Sequence, residues 1–143
     1  MDFAKVGLEI VAFDSENEAD IRWVRNNVFI EEQGIDYEID FDGLDKIAVH
    51  SLARLNNKPI ATGRMLEDGH IGRIAVLKNY RRQGLGSKVV LSLVEEARNC
   101  GYHRVYLGAQ KYALGFYSEL GFTPFGKEYL DAGIPHLSMQ RVL

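Results

Sequence analysis

The chain has 143 residues, 46% hydrophobic and 26% charged, with a formal net charge of −3. That length suits one compact domain, residues 1–143, with a sizeable core. The missing basic excess argues against a general nucleic-acid binder, and no apolar run reaches the length of a membrane span.

Met1-Asp2-Phe3-Ala4-Lys5 lacks the charged-then-apolar layout of a secretory signal. Leu8 to Phe13 is rich in apolar and β-branched residues and predicts a strand. Ser15 and Glu18 have capping-box spacing, and Ile21, Val24, Val28 and Phe29 follow as a helical stripe. Gly34 is a natural stop for that helix after about Gln33. The next stretch is acidic, with Glu31, Glu32, Asp36, Glu38, Asp40, Asp42 and Asp45. Asp40-x-Asp42-Gly43 lacks the distal Glu of a calcium loop, so no metal is expected. A solvated acidic loop is one reading; attraction of a cationic amine is the other.

Val49 to Leu55 and Ile60 to Leu66 predict a hairpin about Asn56-Asn57-Lys58-Pro59. A third antiparallel strand runs from His70 to Leu77. From Leu85, apolar residues at 85, 89, 90, 93, 94 and 97 mark one face of a helix ending at Asn99 or Gly101. Cys100 is the only cysteine, so no intrachain disulfide can form, and a reducing cytoplasm is expected. With no His beside it in sequence, Cys100 is read as a packing residue. Arg104 to Leu107 is a short strand, parallel to the one before the helix if the crossover is right-handed. A shorter helix covers about Lys111 to Leu120, and Phe122 to Phe125 with His136 to Val142 complete the sheet. The fold class is α/β (α+β): a mixed, mostly antiparallel sheet with one parallel, splayed strand pair and flanking helices.

The most telling stretch is Arg81-Arg82-Gln83-Gly84-Leu85-Gly86-Ser87, set between the apolar run Ile74-Ala75-Val76-Leu77 and the long helix. A strand, a glycine turn and a helix start aim backbone N–H groups and a helix dipole at one spot, which suits a phosphate or pyrophosphate. No Gly-Lys-Ser/Thr follows as in a Walker loop, and Gly-x-Gly-x-x-Gly is absent. The pattern is Arg-x-x-Gly-x-Gly, which alone could be a basic turn capping a surface helix.

Downstream lies Ala113-Leu114-Gly115-Phe116-Tyr117-Ser118-Glu119-Leu120-Gly121-Phe122. Together these segments resemble the Gcn5-related N-acetyltransferase (GNAT) superfamily. Val28-Phe29-Ile30-Glu31-Glu32-Gln33, Ile71-Gly72-Arg73-Ile74, Gln110 and Gly133-Ile134-Pro135-His136-Leu137-Ser138-Met139 resemble its ElaA-like branch, over roughly residues 20–140. The resemblance implies acetyl-CoA bound between the strands ending at Val76 and Leu107. Pantetheine would bond the backbone of Ile74, Ala75 and Val76, and the pyrophosphate would sit on amides from Arg82 to Ser87, with charge from Arg81 and Arg82. Gln110 stands where many members carry an Asn that contacts pantetheine. It also implies acetyl transfer to a primary amine of a small molecule or peptide, with a homodimer as an expectation; a non-catalytic acetyl-CoA sensor is the alternative.

Such transfer needs a neutral amine, a donor for the oxyanion and a proton for the thiolate. Tyr117 matches the family's general acid, and Tyr112 is a second phenol. Glu32, His50, His70 and His136 are chemically able bases, with Glu32 and His136 carried forward; a water chain is the alternative. Arg64 and Arg73 fall inside strands and need partners. They either pair with Glu31, Glu32 or Asp42, or bind an anionic group on the acceptor.

Overall fold

A computed structural model describes residues 5–143; residues 1–4, which carry most of the segment read as lacking a secretory signal, lie outside the described residues. Among the described residues no helix is long and apolar enough to cross a membrane. The chain opens with β1 (Val6–Val11) and α1 (Glu18–Arg25), and continues as a π-helical segment, Asn26–Glu32. The helix reaches Glu32 as its stripe predicts, but widens from α to π after Arg25. The expected Ser15 cap is not formed. Asp14 instead orders the turn before α1, its Oδ1 accepting from the amides of Glu16 and Asn17 at 3.2 and 3.0 Å. The acidic stretch contains a short helix, α2 (Tyr37–Asp40), and a 3-10 turn, Asp45–Ile47.

β2 (Val49–Leu55) and β3 (Lys58–Met65) form the expected hairpin. Asn56 and Asn57, at φ 51° and 66°, supply the left-handed pair of a two-residue turn. β4 (Ile71–Val76) leads to α3 (Leu85–Asn99), β5 (Arg104–Gln110), α4 (Leu114–Glu119), β6 (Thr123–Asp131) and β7 (Ile134–Val142). β6 and β7 are longer than the sequence suggests. Their turn is Ala132-Gly133, both at positive φ.

The strands form two sheets, β1-β2-β3-β4 and β5-β7-β6, in which every neighbouring pair is antiparallel. This corrects the expected single mixed sheet. β7 inserts beside β5, and the parallel contact of β4 with β5 shrinks to one bridge, His70 with Tyr106.

The α3 face is the predicted one: Leu85, Val89, Val90, Leu93, Val94 and Ala97 are all buried. It presses on the backbone of β3, where a Cβ on Gly63 would come within 2.6 Å of Val89 and Ile74. Neighbouring strand residues point to opposite faces, so Arg64 points away from α3. On that side Arg25 reaches Asp40 at 3.1 Å and Asp45 at 2.6 Å. Arg64 reaches Asp45 at 3.1 Å and Asp42 at 2.8 Å. α1 and the acidic loop therefore cover one face of the first sheet, and α3 covers the other. Cys100 does not pack: it is exposed, and its thiol donates to Glu96.

The arginine–aspartate network fastens the acidic loop to the sheet. Arg25→Met should cost about 3 kcal/mol or more, because it takes from each of two buried carboxylates one of its two cations, leaving Asp40 with Arg73 and Asp45 with Arg64; urea unfolding measures this. The Arg64 guanidinium holds the Asp42 carboxyl down at about 2, below its ordinary 3.8. A depressed carboxyl stabilises the fold above its unfolded value and loses that contribution as pH falls towards 2. Asp42→Asn should therefore flatten the acid limb of the stability–pH curve between about pH 4 and 2.

Candidate active site

α3 begins at Gly84, φ +85°, and no side chain caps it. The N–H of Lys88 is the first to turn back, bonding the Gly84 carbonyl at 3.1 Å. The amides of Leu85, Gly86 and Ser87 come before that bond and have no helical carbonyl to bond. These residues line a cavity of about 360 Å³ with Val76, Tyr80, Arg81, Arg82, Gly84 and Phe116. Gly84 is required by its φ. Gly86 is not in the left-handed region, and a Cβ there would meet nothing closer than Phe116 at 3.6 Å. The protein itself leaves room at Gly86.

Beside the cavity lies the end of β4. The Leu77 amide bonds Ile60 O of β3 at 2.9 Å. By strand alternation the main-chain groups of Ile74 and Val76 point the other way, towards β5. β5 does not pair with them; its link is the Tyr106 amide to Gly69 O at 3.0 Å. The Val76 carbonyl instead accepts from Arg81 Nε at 2.9 Å. Ala75 is buried and faces the core.

Arg81 was expected to offer its charge to a phosphate. Its two terminal nitrogens instead hold both oxygens of Glu32 at 2.6 Å. That hydrogen bond holds the Glu32 carboxyl below its ordinary range. Glu32 is thus a strut between the π-helical segment and the loop, not a free base. Arg82, at φ +64°, is the loop cation that remains.

The two strand arginines are also taken. Arg64 is buried and bonded to Asp42 and Asp45. Arg73 contacts Asp40 and Asp42 at 3.2 Å and accepts a left-handed φ of 53° in doing so. That residue sits where the β3–β4 register slips, opposite Gly63. Burial, then the nearby Arg64, pushes the Arg73 guanidinium below its usual value. Of the partners expected from sequence, Asp42 serves both arginines; Glu31 and Glu32 serve neither. Of the two readings for these arginines, the structure shows ion pairing.

His50 is fully buried, its Nε2–H donating to Asp45 O at 3.0 Å, which removes it as a base for an incoming amine. His70 stacks on Tyr106 at the bridge, and burial pushes its imidazole down. His136 pairs in register with Gln110, so two candidates far apart in sequence meet on adjacent strands. Its Nδ1 bonds Ile134 O at 2.7 Å. With that proton assigned to Nδ1, the Nε2 lone pair is left free.

Tyr117 stands on the core side of the second sheet, edge-on to Phe116 and Phe122. Burial pushes its phenol up to about 12. Phe116, its neighbour, lines the loop cavity. Tyr112 is 84% exposed.

The acetyltransferase (GNAT) domain model matches residues 26–143. The uncharacterized N-acetyltransferase YjcF of Bacillus subtilis is 35% identical over 136 residues, covering 92% of this chain and 97% of that one. The crystal structure of Escherichia coli ElaA superposes with a TM-score of 0.85 at 28% identity, covering 95% of this chain and 99% of that one. The chain is a member of the GNAT acetyltransferase family. A GNAT acetyltransferase from Elizabethkingia anophelis with acetyl-CoA bound has a TM-score of 0.71, covering 97% of this chain and 99% of that one; at 16% identity it shares the fold alone.

Two features of this GNAT domain escaped the sequence reading. One is the Arg81–Glu32 strut, which joins residues 49 apart. The other is Tyr129, whose hydroxyl lies where a Cβ of Gly108 would be. A glycine inside a strand was the available signal for such a close approach.

Gly86→Val should leave the melting temperature near wild type while lowering coenzyme A affinity ~10-fold or more, since the added side chain blocks only a ligand. Calorimetric titration checks this, and unchanged affinity would contradict the loop assignment.

Proposed function

We propose that this protein is an acetyl-CoA-dependent N-acetyltransferase that moves the acetyl group to a primary amine by direct attack on the thioester. The observation that carries this reading is the uncapped start of α3 over a cavity at the end of β4. Uncapped amides and a helix dipole favour an anion. The diphosphate of coenzyme A would rest on the amides from Arg82 to Ser87. Its pantetheine arm would bond the outward main-chain groups of Ile74 and Val76, with Gln110 across the gap. A relative of the same fold carries acetyl-CoA, which agrees.

The neutral amine adds to the thioester carbonyl, forming the C–N bond and an oxyanion. A main-chain N–H on the free side of β4 can receive that oxyanion. Collapse breaks the C–S bond, and the thiolate takes the Tyr117 proton. The surplus proton on nitrogen leaves through His136 Nε2 or through water. A phenol near 12 giving a proton to a thiolate of ordinary pKa is uphill by roughly 5 kcal/mol. The same burial raises the sulfur's own affinity for a proton and narrows that gap.

Tyr117→Phe should lower the turnover rate ~10²-fold or more while leaving coenzyme A affinity intact. In the wild type the raised phenol stays protonated, so the rate should show no tyrosine-dependent alkaline fall below about pH 10. Thiol release from acetyl-CoA with a panel of amines measures both. Equal rates for the two proteins would remove Tyr117 as the acid. A panel silent for both would favour a sensor that binds acetyl-CoA without turnover.

A further inference from the structure

We propose that Glu32 is a positioning residue for coenzyme A. It takes up the charge of Arg81 and makes that side chain a tie between the end of β4 and the π-helical segment. Arg81 then serves the diphosphate through the shape it gives the loop and not as a cation. This rests on the acetyltransferase reading and deepens it, by assigning work to two residues away from the reacting atoms.

The arginine head is a planar fork of N–H donors. In Arg81, Nε donates to Val76 O at 2.9 Å, and the two terminal nitrogens donate to the two oxygens of Glu32 at 2.6 Å, which spends most of those donors inside the protein. A fork-on-fork pair fixes direction as well as distance. It also carries no net charge, so Arg82 and the uncapped start of α3 are left to attract the diphosphate. One lone pair of the Val76 carbonyl is taken, which restrains the last peptide of β4 beside the cavity.

The backbone brings Glu32 to this place. In an α-helix residues four apart share a face, which would set Glu32 in line with the buried Val28. Here the Gln33 amide reaches back to Val28 O at 3.1 Å, closing a wider turn. That turn takes Glu32 off the buried line, and it stands exposed, facing the loop.

Two cavities meet at the pair. Arg81 lines the loop cavity, Glu32 lines a second one of about 390 Å³ with Trp23, Lys58 and Leu77, and Tyr80 lines both. Lys78 is the other cation near Glu32, and among the described residues it makes no ion pair with it.

Arg81→Lys separates the two roles, because lysine keeps the charge but is a point donor that cannot reproduce a planar fork. Calorimetry should show coenzyme A bound ~5-fold or more weakly by Arg81→Lys and by Glu32→Gln, with the double variant no weaker than either, since all three remove one device. Melting temperatures should stay near wild type, because an exposed ion pair adds little to stability. In coenzyme-free Glu32→Gln the amide resonance of Leu77, whose peptide carries the Val76 carbonyl, should shift. Either single variant carries the test if the other does not fold. Wild-type affinity in Arg81→Lys, tighter binding in Glu32→Gln, additive losses in the double variant or an unmoved Leu77 resonance would overturn the proposal. Failure of the wild type to bind coenzyme A would instead overturn the acetyltransferase reading.

Discussion

An α-helix leaves its first amides without partners, and in α3 no side chain supplies one. Gly84 turns the chain at a φ only glycine holds without strain, Gly86 keeps the approach open, and a cavity is left where a cap would sit. A bound anion would satisfy what the fold leaves unsatisfied.

The rest of the molecule keeps that helix start beside the end of β4. Ile74 and Val89 meet over Gly63, so α3 sits directly on the sheet. On the opposite face three arginines and three aspartates pin the acidic loop against β3 and β4. Arg73 takes a left-handed backbone in the middle of a strand, and its side chain is held from outside by Asp40 and Asp42. The left-handed residue marks the point where β4 leaves regular pairing, next to the groups proposed to hold pantetheine. Arg81 makes a second tie: it bonds the Val76 carbonyl and Glu32 together, so a change at the π-helical segment would be felt at the loop.

Much of this was legible in the sequence because it is local. The α3 stripe, the glycine spacing of the loop and the Asn56-Asn57 turn each depend on residues within a few positions of one another. The pairing of Gln110 with His136, the ion partners of Arg64 and Arg73, and the strut from Glu32 to Arg81 are set by register and by how the layers meet. No short-range pattern encodes those. Crossover handedness predicts parallel pairing of β4 with β5; β7 pairs along one edge of β5, and the other edge, facing β4, keeps a single bridge, His70 with Tyr106. Cys100 was read as packing because cysteines usually are buried; its place at the exposed end of α3 decides otherwise.

The central claim is that main-chain amides at the start of α3 grip the diphosphate of coenzyme A. Backbone amide NMR during titration with coenzyme A tests it most directly. The resonances of Gly84, Leu85, Gly86 and Ser87 should move more than those of the rest of the chain and saturate together. Saturable binding with those four resonances unmoved would contradict the account.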